Sequence, residues 1–275
     1  MSRYAAPAPS RASDSLPSMN SSGLFRTADG RSHLATFLLV CTLFLTWGFC
    51  NGLLDVLNKH FQDTLHLSKA QSGLVQSAFY IGYFCMSLPA GLLAQRFGYR
   101  AGILAGLGIV AAGAFWFLPA VRIDAYWAFL LGLFVVASGL TCLETAANPY
   151  ATVLGAPGAG AARINMAQSC NSVGLLLGPL VGGHFLMGGI AQGDRALAVP
   201  YVGLGILVSA LFAIFAFAPV PEIRAEDDYH VDAEARPARA LGHHPHFVLG
   251  VGAQFLNVAA QSGIFGFFIN YVLSE

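Results

Sequence analysis

Charge avoids long stretches of this chain. Between Ala125 and Gly155 the only charged side chain is Glu144. Elsewhere too, apolar residues gather in runs of about 20, the length that carries a helix across ~30 Å of hydrocarbon. A helix at the surface of a soluble protein keeps a polar stripe on one face, and most of these runs have none. Seven spans are predicted: Ala35–Asn58, Gln71–Gln95, Ala101–Val121, Ala125–Ala147, Asn165–Met187, Val199–Ala218 and Phe247–Val272. Charged residues make up 10% of the chain, against ~25% in ordinary globular domains. The sequence therefore reads as an all-α, multi-pass membrane protein whose first partner is the lipid bilayer. Nothing in it suggests a nucleic-acid partner.

Outside the spans, residues 1–34 form a Ser-, Ala- and Pro-rich stretch with scattered Arg and no apolar region of signal-peptide length, expected to be a disordered tail. Residues 219–246 hold six acids, three Arg and four His and separate a six-span bundle, 35–218, from a seventh span in 247–275. His243, His244 and His246 are more simply a solvated juxtamembrane cluster than a metal site. With the N-terminus inside, ten of the 14 Lys and Arg fall in inner segments, so retention of cationic loops predicts a cytoplasmic N-terminus. All five cysteines lie within spans without a C-x-x-C pair, so neither a disulfide framework nor a zinc site is indicated.

Asp55 and Glu144 are the only Asp, Glu, Lys or Arg well inside the spans. A charged side chain at the centre of a membrane helix costs ~2.5–3.5 kcal/mol on insertion scales, and such residues face a bundle interior or a hydrated cavity. Amides accompany them at helical spacing. Asn51, Asp55 and Asn58 follow i, i+4, i+7; Glu144 and Asn148 are an i, i+4 pair; Asn165, Gln168, Asn171 and Ser172 share a face; Gln254, Asn257 and Gln261 follow i, i+3, i+7. Interhelical hydrogen bonds, worth ~0.6 kcal/mol each, are the plain explanation for any one amide. Four stripes together suit a cavity for a polyhydroxylated solute, because Asn and Gln both donate and accept. Trp47, Phe79, Tyr80 and Tyr83 are candidates for the apolar faces of such a cavity. Gly174, Gly178 and Gly182 form a G-x-x-x-G-x-x-x-G ladder, with Gly102 and Gly106 at the same spacing; such patterns allow close helix approach. Spans one to three and four to six read as two triplets of opposite orientation, as in transporters built from inverted repeats.

The strings WGFCNGLLDVLNKHF, CLETAANPYA and RINMAQSCNSVG resemble helices of the fucose–galactose–glucose:proton symporter family, a branch of the major facilitator superfamily. The loop GLLAQRFGYRAG resembles that superfamily's loop between its second and third helices, with Gln95 where an Asp is usual. The resemblance implies two six-helix halves, so that this chain would be the N-terminal half plus the first helix of a C-terminal half missing in cis: a truncated twelve-helix transporter of the bacterial inner membrane. It implies uptake of a monosaccharide such as L-fucose, galactose or glucose by alternating access, with a coupling ion, proton or alternatively sodium, and no other cofactor. It implies proton coupling by Asp55 and Glu144. Asn51, Gln168 and Asn171 fall at cavity positions of the family, and Asn148 and Gln254 extend the candidate substrate-binding set. No enzymatic activity is expected. A seven-helix receptor or sensor and an intramembrane enzyme are the alternatives; the charge bias opposes the first, and the absence of Ser/His or paired-Asp motifs in the spans opposes the second.

Overall fold

A backbone in hydrocarbon has no water to bond to, so each spanning segment must satisfy its own N–H and C=O groups as a helix. The computed structural model describes residues 23–26, 30–64, 67–186, 195–222 and 243–274. It contains seven long helices: α1 (Leu34–Thr64), α2 (Lys69–Phe97), α3 (Tyr99–Ile123), α4 (Tyr126–Val153), α5 (Gly160–Leu186), α6 (Arg195–Phe217) and α7 (Pro245–Ser274). Six of them are long and apolar enough to cross a membrane; α5 is as long but falls short in hydropathy. The reason is visible in its polar N-terminal half, where Asn165, Gln168, Ser169, Asn171 and Ser172 crowd two turns.

Local chemistry sets the helix ends. Ser68 opens α2 with a capping box: its hydroxyl accepts from the Gln71 N–H at 3.2 Å, and the Gln71 side chain accepts from the Ser68 N–H at 3.0 Å. Gly98 closes α2 at φ 87°, a conformation open to glycine. Asp124 ends α3 in the left-handed region, its N–H bonded to the Ala120 carbonyl.

The C-terminal ends of α4 and α6 are capped by arginines from other helices. Arg163 of α5 is fully buried. It donates from Nε to the Ala151 carbonyl at 3.1 Å, from Nη1 to Leu24 at 2.7 Å and Ala156 at 3.1 Å, and from Nη2 to Thr152. Half-buried Arg100 of α3 donates to the Ala216 carbonyl of α6 at 2.8 Å. A cation at a helix C-terminus meets the negative end of the helix dipole. Through Leu24, Arg163 also holds a piece of chain preceding α1. There Arg26 and Ser32 form a β-bridge, and the Phe25 ring lies 4.9 Å from that of Phe37. The stretch read as a disordered tail thus ends in a docked segment; residues 1–22 lie outside the described residues, as do 223–242 of the loop between α6 and α7.

Helix α4 lies at the centre, packed against α2 and α3, while α3 also packs on α6 and α1 on α5. The α1–α5 contact is the closest. A Cβ added at Gly48 would strike the Asn171 carbonyl, and one at Gly174 the Leu45 carbonyl. At Gly178 it would come within 2.6 Å of the Phe49 carbonyl and 2.7 Å of the Leu53 N. The ladder seen in the sequence therefore seats α5 on the backbone of α1, with Gly48 and Gly52 answering from the other side. Helix α7 contacts mainly α1 and α2, and its described side chains are almost all exposed.

Candidate functional site

The glycine-knitted pair α1–α5 forms one wall of a cavity of about 180 Å³. Trp47, Asn51 and Asp55 recur every four residues on α1 and share a face. All three line the cavity, with Asn171 and Leu175 of α5, Gln76 and Tyr80 of α2, and Gln261 and Ser262 of α7. Gln76 Nε2 donates to Asp55 Oδ1 at 3.2 Å. The Asn51 amide donates to the Trp47 carbonyl at 2.9 Å, one turn back on its own helix. Trp47 Nε1 donates to the Tyr83 hydroxyl at 2.7 Å. Amides and a carboxylate thus face aromatic and aliphatic surface across a small volume, the usual make-up of a small-molecule site.

Glu144 sits elsewhere. It lines a crevice of about 10 Å³, with Leu43, Phe44, Trp47, Leu143 and Ala147 as the other walls. The two acids predicted to act together therefore occupy separate compartments, and Trp47 borders both. Tyr83 holds that indole through its hydroxyl and lies within electrostatic range of Glu144. An ionised carboxylate among apolar walls is disfavoured unless water or a partner reaches it, so the charge of Glu144 is the more sensitive of the two to whether its compartment is open.

The other predicted residues divide. Gln168 Nε2 approaches Asn148 Oδ1 at 3.4 Å, and Asn171 Nδ2 donates to Gln168 Oε1 at 3.2 Å. This chain of amides runs from α4 to α5 and ends at the cavity with Asn171. Asn148 and Gln168 are thus placed behind Asn171. Asn165 and Ser172 are exposed. Asn58 is buried, away from the lining. Gln254 is exposed and does not line the cavity; Gln261, two turns along the same stripe, does, with Asn257 as its hydrogen-bond partner at 3.4 Å. Sequence reasoning missed Gln76. The signal was present: Gln76, Tyr80 and Tyr83 follow i, i+4, i+7 on one helix. Among the described residues no group of three or more His, Cys, Asp and Glu could hold a metal ion.

Comparison with known proteins sets this geometry in context. The Major Facilitator Superfamily profile matches residues 36–274. The chain is 35% identical over 269 residues to the L-fucose-proton symporter of Escherichia coli (strain K12), covering 89% of this chain and 61% of that protein. It is 36% identical over 236 residues to a glucose/galactose transporter of Brucella abortus biovar 1 (strain 9-941), covering 84% and 56%. A crystal structure of the E. coli transporter FucP in the outward conformation superposes with a TM-score of 0.69 at 35% identity, over 89% of this chain and 64% of that one. The chain thus spans about three fifths of the length of the relatives it matches.

Proposed function

Since the chain belongs to the Major Facilitator Superfamily, we propose that it forms the sugar-binding and ion-coupling wall of a monosaccharide transporter that works by alternating access. The observation that carries this reading is the cavity in which Asp55, Asn51, Gln76, Asn171 and Gln261 face Trp47 and Tyr80 inside a bundle of apolar helices. Amides that donate and accept match the hydroxyls of a sugar, and aromatic rings match the C–H face of a pyranose. The relatives, an L-fucose-proton symporter and a glucose/galactose transporter, fit the same chemistry and favour a transporter over a receptor or an intramembrane enzyme. L-Fucose, galactose and glucose are the substrates to assay first.

In this reading Asp55 and Glu144 couple the sugar to an ion, proton first and sodium as the alternative. Asp55, held by Gln76 within the cavity, responds to the sugar. Glu144, in its apolar crevice, gains or loses a proton as the bundle opens or closes its compartment, which biases the equilibrium between states. The bias of Lys and Arg between alternate loops supports a cytoplasmic N-terminus and suits a bacterial inner membrane. The test is sugar uptake by the protein in its native membrane after a pH or sodium jump. Glu144→Gln should fold and still exchange labelled sugar, while ion-driven accumulation falls to background. Asp55→Asn should lose accumulation as well. Accumulation at the unsubstituted level in both variants would overturn the assignment.

A further inference from the structure

The α1–α5 register places two thiols together. Gly174 lies against the Leu45 carbonyl, and the two helices run parallel, because Gly48 faces Asn171, Gly52 faces Leu175, and Gly182 faces Val56. One turn back from the Leu45–Gly174 contact, on each helix, stand Cys41 and Cys170. That register sets the two thiols side by side across the seam, near enough to interact electrostatically. Both are free thiols, part-buried at the packed interface, neither sealed inside it nor fully exposed. The other cysteines differ: Cys50 and Cys142 are buried, and Cys85 is exposed on α2.

We propose that Cys41 and Cys170 form a dithiol site for a soft metal or metalloid centre that takes two thiolates, bridging α1 and α5 beside the amide wall of the cavity. Two sulfurs with no third His, Cys, Asp or Glu to form a cluster among the described residues are too few for the four-ligand geometry of structural zinc. Soft thiolates instead select soft centres, and two of them satisfy mercuric ion or a trivalent arsenical. Capture is ligand exchange. With phenylarsine oxide, each thiol gives up its proton, two S–As bonds form, the arsenic-bound oxygen leaves as water, and arsenic stays trivalent. Glycine packing keeps the two helices close one turn from the thiols.

The site stands apart from the transport reading, so its test needs no transport assay. The detergent-solubilised chain is treated with phenylarsine oxide and its intact mass is read. One phenylarsenic group per chain is expected, removable by a small dithiol and absent in both Cys41→Ser and Cys170→Ser. Cys85→Ser should retain it. Peptide mapping should place arsenic between the Cys41 and Cys170 peptides. No addition to the unsubstituted chain, a group retained in either of the Cys41 and Cys170 variants, or arsenic mapped to another cysteine pair would overturn the site.

Discussion

The pairs α1–α5 and α3–α6 are both close-packed, but by different means. In α1–α5 the contacts are backbone on backbone: at Gly48, Gly52, Gly174 and Gly178 an added Cβ would meet a carbonyl oxygen of the partner helix. In α3–α6 side chains fill the gap. Phe117 stacks on Tyr201 with ring centroids 3.6 Å apart, and Gly205 looks onto the Phe115 ring. The difference follows what each pair must present. Helices α1 and α5 carry Asn51, Asp55 and Asn171 on the cavity side, and their glycines fix the spacing of those groups without relying on rotamers. Helices α3 and α6 add no residue to the cavity lining, and interlocked apolar side chains suffice. A polar wall needs a rigid support, and glycine is how this sequence builds one.

The largest contrast is between the two capping arginines. Arg163 is buried and bonded to the carbonyls of Leu24, Ala151, Thr152 and Ala156, whereas Arg100 is half-buried and holds the end of α6. Arg163→Met should strand the buried Ala151 carbonyl and three part-buried ones, at ~1–3 kcal/mol for each buried group left without a partner. It should also release the segment at Leu24, read as faster tryptic cleavage after exposed Arg26. Arg100→Met should lose only about 1 kcal/mol and leave that cleavage unchanged. Thermal unfolding in detergent, with the cleavage rate, checks both; equal effects would erase the distinction between the two ends.

How much of this was legible in advance depends on whether the cause was local. The spans were, because hydrocarbon thickness imposes a length that composition reveals. So were the stripes on α1 and α5, since Asn51 and Asp55, or Gln168 and Asn171, meet by helical spacing alone. The glycine ladder announced a close approach but not its partner, because nothing local says that Gly174 meets Leu45 rather than another helix. That Gln261 rather than Gln254 lines the cavity was hidden for a similar reason. Seven residues of helix span about 10 Å, and the pattern does not say which turn of α7 lies level with Asp55. Arg163 looked like one more inner cation; its role arises only when the turn after α4 folds back over it. The separation of Glu144 from Asp55 depends on the indole of Trp47, whose placement is a tertiary matter.

Two smaller effects sharpen the comparison. Tyr83→Phe removes the acceptor for Trp47 Nε1 and should cost about 1 kcal/mol. With Trp116 and Trp127 replaced by Phe, emission from Trp47 should shift as its indole loses that partner; an unchanged spectrum would mean that Tyr83 does not hold the partition between the two compartments.

The smallest effect uses one substitution at two places. Gly→Ala within a helix gains ~1 kcal/mol in propensity, so the packing partner decides the sign. At Gly178 the new methyl meets the Phe49 carbonyl and the Leu53 N, at 2.6 and 2.7 Å. Backbone cannot rotate aside, and overpacking of this kind costs ~1–3 kcal/mol, so Gly178→Ala should be destabilised by about 1 kcal/mol net and α1 pushed from α5. At Gly205 the nearest atoms belong to the Phe115 ring, at 3.0–3.2 Å, and a ring can tilt by the few tenths of an ångström required. Gly205→Ala should therefore lie between no change and a gain of about 1 kcal/mol. Unfolding midpoints measured side by side test this. If Gly178→Ala were tolerated as well as Gly205→Ala, the glycines of α5 would be no more than small residues in a tolerant interface, and the rigid wall behind the cavity would lose its physical basis.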